Sequence, residues 1–183
     1  EYIANSSIQL ILGVRYDVSS TFGSHLGPHL SLLYRKPKNI YRLNISKNFK
    51  SPSLKELYMQ WDHFGMFYIN GNQNLEPETS TYIGLSYEKI HSKYNLSIKP
   101  YMHKLHNMIL SVEEFESSQM IYRNYKSVFM SGIDLYIKTH YNSIVFDMTV
   151  GLLEPRELST EMQLDGTNKI TINSSLTFFI NNK

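Results

Sequence analysis

Residues 41–88 read YRLNISKNFKSPSLKELYMQWDHFGMFYINGNQNLEPETSTYIGLSYE. The opening alternates. Tyr41, Leu43 and Ile45 fall on one side of an extended chain, and Arg42, Asn44 and Ser46 on the other. A period of two belongs to a half-buried strand. The period is then lost. Pro52 cannot extend a ladder and ends the strand after Phe49. Ser53-Leu54-Lys55-Glu56 fits a capping box, which predicts a short helix with Leu54, Leu57 and Tyr58 on one face. Gly71-Asn72 is a turn signal. Pro77 pre-sets the chain before the ladder resumes at Thr79. The stretch thus predicts strands at 39–48 and 80–89, joined by a long loop over 50–78.

The same alternation extends outward in both directions. In 8–18, Ile8, Leu10, Leu12, Val14, Tyr16 and Val18 oppose Gln9, Gly13, Arg15 and Asp17. Segments 94–104, 125–138, 142–152 and 169–180 alternate likewise, and 28–36 does so less cleanly. The expectation is an all-β chain of about eight long antiparallel strands. Tight turns are expected at 36–39, 90–92 and 139–141, and longer connections at 19–27, 49–79, 113–122 and 154–168. Strands of about 10 to 14 residues exceed the usual 5 or 6. Short turns alternating with long loops are the asymmetry of outer-membrane barrels. Tyr34, Tyr41, Tyr87, Tyr94, Tyr136 and Tyr141 flank the tight turns, as an interfacial girdle would require. A soluble sandwich also alternates, but with shorter strands.

Composition agrees with a membrane wall. Charged residues are 19% of the chain, below the roughly 25% of soluble domains. Tyrosine supplies 14 residues. The absence of cysteine excludes a disulfide scaffold and thiolate metal sites. A formal net charge of +2 gives no footing for a nucleic-acid partner. The uncharged stretch from Tyr2 to Val14 is too short and too polar for a spanning helix. If the chain crosses a membrane, it does so with strands. Leu10, Leu12, Leu43, Ile45, Leu96, Ile98, Ile133, Leu135, Phe146 and Met148 are then expected to face lipid. Arg42, Lys99, Asp134 and Asp147 are expected to face the lumen, because a charge on the lipid face near the midplane costs roughly 2 to 4 kcal/mol. The N-terminus carries no signal-peptide pattern, and the last strand ends without a closing aromatic. A portion of a larger barrel is expected.

Two boxes carry a resemblance. The first is Phe49-Lys50-Ser51-Pro52. The second is Asn72-Gln73-Asn74-Leu75-Glu76-Pro77-Glu78. This pair, with Gly13-Val14-Arg15-Tyr16-Asp17 and the segment Tyr122-Arg123-Asn124 through Gly132-Ile133-Asp134-Leu135, resembles the barrel of TonB-dependent receptors. There a Phe-Arg-Ala-Pro-like box ends a strand, a long extracellular loop follows, and an Asn-Pro-Asn-Leu-x-Pro-Glu box opens the next strand. Here Gln73 replaces the proline and Lys50-Ser51 replaces Arg-Ala. The resemblance covers nearly all of 1–183 as a partial barrel domain, with nothing matching the family's plug domain or TonB-contacting segment. It implies an outer-membrane receptor for TonB-coupled uptake of haem or another iron chelate. It also implies lipid and the TonB complex as partners. Cobalamin or another siderophore is the alternative cargo.

No pattern points to an enzyme or a resident cofactor. The serines lack a nucleophile setting. His103 and His106, three apart, face opposite ways in a strand. His25 and His29 flank an expected loop, and His91 and His140 sit near tight turns. His63 differs, lying between the boxes in Trp61-Asp62-His63-Phe64-Gly65-Met66-Phe67-Tyr68. Haem receptors of the family resemble this arrangement, which implies His63 as a haem-iron ligand with Trp61, Phe64, Phe67 and Tyr68 around the porphyrin. The rival readings are a passive porin or small structural barrel and a soluble carbohydrate-binding β-domain.

Overall fold

The computed structural model describes residues 2–5, 7–62, 64–66, 68–114, 119–158 and 167–179. The elements in chain order are β1 (Tyr2–Asn5), β2 (Ile8–Ser19), β3 (Gly23–Lys36), β4 (Asn39–Lys50), α1 (Leu54–Tyr58), β5 (Gln60–Asp62) and β6 (Tyr68–Asn70). They continue with β7 (Glu78–Ile90), β8 (Tyr94–Glu114), β9 (Gln119–Tyr141), β10 (Ile144–Glu157) and β11 (Ile170–Phe178). One antiparallel path runs β1-β2-β3-β4-β7-β8-β9-β10-β11. The eight expected long strands are β2, β3, β4 and β7 to β11. The sheet is open, with β1 and β11 at its edges.

Three connections are shorter than the sequence suggests. β3 begins at Gly23, so the expected loop over 19–27 shrinks to Ser20-Thr21-Phe22. Pro28 accounts for the difference. It pairs with Val14 on β2, while pairing with β4 stops at His29, so its missing N–H faces a side with no ladder partner. β8 and β9 run to Glu114 and from Gln119, which consumes most of the expected 113–122 loop. β10 continues to Glu157, past the loop start expected at 154. The turn expected at 139–141 falls instead at Asn142-Ser143, because Asn142 supplies the left-handed backbone, φ 51°.

Register sorts the faces. Ile8, Tyr34, Tyr41 and Tyr87 oppose one another across four strands, and the row continues through Ile98, Leu135, Val150 and Ile172. Two residues along, Leu10, Leu32, Leu43 and Leu85 form the next row of that face. All ten residues expected to face lipid share it. The opposite face carries Arg42, Lys99, Asp134 and Asp147. There Arg42 bridges to Glu88 at 2.5 Å and Asp147 accepts from Ser175 at 2.7 Å. The apolar face packs on no core: Leu12 is 64% exposed and Val14 69%. The buried Ile40, Leu105, Val128 and Val145 lie on the other face. The soluble reading, which needs the apolar rows inside, is excluded.

The apolar belt slopes across the register. Its upper edge falls from Val18 on β2 to Leu152 on β10, whose row meets β2 at Leu10. That drop over the intervening strands corresponds to a strand tilt of roughly 40°, as in outer-membrane barrels. Lys47, Thr81 and Lys104 form one row above the belt. Below it, Tyr34, Tyr41 and Tyr87 are followed by Tyr94 and Tyr141, each lower on its strand, so the girdle keeps one membrane level despite the tilt. Tyr136 departs from the expected girdle. It opposes Ser97 and Thr149 on the inward face.

On the inward face the Tyr101 ring lies over Gly132, its register partner. A Cβ at Gly132 would stand 2.5 Å from the Tyr101 hydroxyl and 2.7 Å from the Leu152 carbonyl oxygen. Gly132→Ala is therefore expected to cost about 1–3 kcal/mol through overpacking. The urea midpoint for refolding of the intact receptor in detergent measures this, and an unchanged midpoint refutes the contact.

Candidate ligand-binding mouth

The connection between β4 and β7 is folded, and the two boxes are its fastenings. Pro52 is buried where β4 stops. Ser53 then caps α1. The Glu56 N–H donates to Ser53 Oγ at 3.2 Å and the Ser53 N–H to Glu56 Oε2 at 2.7 Å, completing the predicted capping box. Only Leu57 of the expected apolar helix face is buried. Leu54 is 77% exposed and Tyr58 58%. A helix this short has little more than one turn, and that turn directs one side chain into the cluster of Leu57, Leu75 and Ile109, with Phe22 and Tyr122 against it.

Lys50 joins the two ends of the loop. Its Nζ lies 3.1 Å from Glu56 and 2.6 Å from Glu78. Partial burial opposes its charge, but the two carboxylates outweigh that and hold its pKa above the ordinary lysine value. Burial likewise opposes the charge on Glu56. Hydrogen bonds from Ser53 and then Lys50 outweigh it and hold the Glu56 carboxyl below its usual range. Phe49 stacks on His25 with centroids 3.6 Å apart, and His25 Nε2 lies 2.8 Å from the Phe22 carbonyl.

The second box grips the part of the β8–β9 hairpin that rises above the belt. Asn72 Nδ2 donates to the Tyr122 carbonyl at 2.9 Å, and Asn72 Oδ1 accepts from the Asn74 N–H at 2.9 Å. Asn124 Oδ1 accepts from the Glu76 N–H at 2.8 Å, and its Nδ2 donates to the carbonyls of Glu76 and Asn107 at 2.9 and 2.7 Å. Glu78 Oε1 accepts from the Ile109 N–H at 3.2 Å. Leu75 is 4% exposed. Gly71 is needed where the chain crosses α1: a Cβ there would stand 2.6 Å from the Tyr58 nitrogen. Of this network, the Asn107 and Asn124 partners escaped the sequence reading. Asn107 takes the left-handed backbone, φ 56°, that asparagine tolerates.

Beyond the fastenings, β5 and β6 form a hairpin, and β6 runs parallel to β9 with Tyr68, Ile69 and Asn70 opposite Gln119, Met120 and Ile121. Those β9 residues already pair with β8 on their other edge. β6 therefore occupies the edge that β10 leaves free. Trp61 is 43% exposed, Phe64 90%, Met66 65% and Tyr68 49%. Asp62 Oδ1 accepts from the Gly65 N–H at 2.7 Å. The Asp62 carboxylate, through its charge and then a hydrogen bond, raises the Tyr68 pKa. His63 and Phe67, the proposed iron ligand and one of its aromatic neighbours, lie outside the described residues.

Two outcomes test the fastening. Asn124→Ala leaves the Glu76 amide and carbonyl without their side-chain partner, a loss of about 1–3 kcal/mol. Amide exchange at Leu75 to Glu78 should accelerate, and unchanged protection there contradicts the assignment. The Glu56 contribution should be full above the ordinary carboxylate pKa and fade as pH falls through the lowered folded-state value. Acid-dependent exchange of the α1 amides, compared with Glu56→Gln, reads it.

The matches with known proteins agree with this architecture. A sequence model described as TonB dependent receptor-like, beta-barrel, matches residues 2–180. No curated protein matches the chain. The siderophore receptor PirA from Pseudomonas aeruginosa aligns with TM-score 0.73 at 19% identity, over 94% of this chain and 31% of that one. A mutant of the ferric enterobactin receptor PfeA from the same species aligns with TM-score 0.76 at 18% identity, over 98% and 29%. The copper transporter OprC aligns with TM-score 0.74 at 13% identity, over 97% and 32%. The chain thus spans about three-tenths of the length of these structures, and at such identities they share its fold. With the register, the sloping belt and the family match over 2–180, the chain belongs to the TonB-dependent receptors, outer-membrane transport proteins, as a segment of their β-barrel.

Proposed function

We propose that the intact receptor captures a small iron chelate at the cell surface and passes it inward when TonB acts on a plug domain outside this chain. The segment contributes barrel wall and the mouth loop over 51–77. One observation carries the reading: an exposed aromatic hairpin, Trp61, Phe64 and Tyr68, stands on a base fixed by Lys50, Asn72 and Asn124. A pre-ordered base lowers the ordering cost of ligand capture. The names of PirA and PfeA support the iron-chelate class. The name of OprC is a reminder that fold does not fix cargo.

Within that class the hairpin favours haem. His63 supplies an imidazole, a good ligand for haem iron, and Trp61, Phe64, Phe67 and Tyr68 supply ring surface for the porphyrin. The iron is cargo, and the receptor needs no cofactor of its own. Outer-membrane lipid and the TonB complex are its standing partners.

Haem titration of the intact receptor, followed at the Soret band, tests this. His63→Ala should weaken binding by about tenfold or more, equivalent to at least about 1.4 kcal/mol, and leave barrel assembly intact. Equal affinity removes His63 as the ligand. No haem binding by the unsubstituted receptor moves the cargo to a ferric siderophore or cobalamin, tested by the same titration.

A further inference from the structure

The short-turn end of β3, β4 and β7 gathers features that the mouth does not use. On the outward face the rings of Tyr34 and Tyr41 lie 5.9 Å apart, and those of Tyr41 and Tyr87 5.1 Å apart. The Tyr87 hydroxyl donates to Asn39 Oδ1 at 2.8 Å, fixing the row against the turn. One step nearer the turns, Lys36, Asn39 and Lys89 form the next outward row. Lys36 and Lys89 stand two strands apart, about 10 Å, so their flexible side chains reach one anion above Asn39. Lys36 Nζ also sits 5.5 Å from the centre of the Tyr34 ring.

The charge at this corner has one sign. Lys38 and Lys93, in the neighbouring turns, add to the two lysines. Across 28–50 and 79–112 the one acidic residue is Glu88, which lies on the inward face and is paired with Arg42. On the hydrocarbon side of the tyrosines the outward face opens a groove of 410 Å³, lined by Leu32, Leu43, Leu85, Ile98 and Pro100. From water inward the order is basic, phenolic, apolar. An anionic phospholipid has the complementary order: phosphate, glycerol ester, acyl chain.

We propose that this outer wall is a binding site for an anionic phospholipid of the periplasmic leaflet. The phosphate lies between Lys36 and Lys89, the ester groups meet the hydroxyls of Tyr34 and Tyr41, and an acyl chain fills the groove. The leaflet follows from the short turns, which face the periplasm in outer-membrane barrels. Charge selects the headgroup. A zwitterionic lipid brings its own ammonium into a cluster that already carries unopposed cations. The site stands in the interior of the sheet, away from both edges, and is independent of the cargo.

The test is retention of lipid by the intact receptor in detergent, counted by native mass spectrometry. The probes are phosphatidylglycerol and phosphatidylcholine at equal concentration. The unsubstituted receptor should retain phosphatidylglycerol at least about tenfold better. The double variant Lys36→Gln, Lys89→Gln should lose that preference, Lys36→Arg, Lys89→Arg should keep it, and Lys126→Gln should leave it unchanged. Inorganic phosphate should not displace the lipid. Equal retention of both lipids, or a preference that survives the double glutamine variant, overturns the proposal, and displacement by phosphate alone removes the groove from it. If the glutamine variant fails to assemble, Tyr41→Phe with Leu85→Ser must weaken phosphatidylglycerol retention for the proposal to stand.

Discussion

Inside hydrocarbon a peptide N–H or C=O without a partner costs several kcal/mol, and water is not there to supply one. This chain therefore pairs strand to strand over its membrane-spanning length, and its other properties follow from that ladder. Once register is set, alternation decides which side chains meet lipid, and Arg42, Lys99 and Asp134 have one side left to them. Strand tilt then fixes how far each neighbour is displaced, which is why Tyr87, Tyr94 and Tyr141 sit progressively lower on their strands. Pro28 sits where the ladder has no use for its nitrogen, whereas at Pro100, inside β8, the β7–β8 register is interrupted opposite Leu85 and Ser86.

The mouth extends the same economy above the membrane. Where β10 stops pairing, β9 has an open edge, and β6 takes it. Where the loop backbone has no strand beside it, asparagine amides stand in: Asn124 satisfies both the N–H and the C=O of Glu76. The family boxes have a local physical role here. Pro52 stops a strand, Leu75 fills a small core, Glu78 ties Lys50 and the Ile109 amide, and Asn72 holds the turn. Among the residues left exposed between the boxes are the aromatic ones Tyr58, Trp61, Phe64 and Tyr68.

What was legible in the sequence was whatever depends on neighbours along the chain. The period of two marked the eight long strands and their faces, and Ser53 with Glu56 announced α1. Less visible was whatever depends on residues far apart. The docking of β6 on β9 joins Ile69 to Met120, and no local pattern encodes that pairing. The ends of β8 and β9 were misplaced because alternation weakens above the belt, where neither face is obliged to be apolar. Tyr136 was assigned to the girdle from its nearness to a turn, although its parity put it inward. The mouth was legible as a loop with two boxes, but its partners Asn107 and Asn124 lie on other strands.

The parallel pairing of β6 with β9 also sets an order of events. Residues 68–70 emerge from synthesis and translocation well before 119–121, yet their partner edge exists only after β9 has zipped onto β8. Until then the aromatic hairpin has no sheet to join and the Glu76 amide has no Asn124. The mouth thus takes its shape only once β8 and β9 have paired.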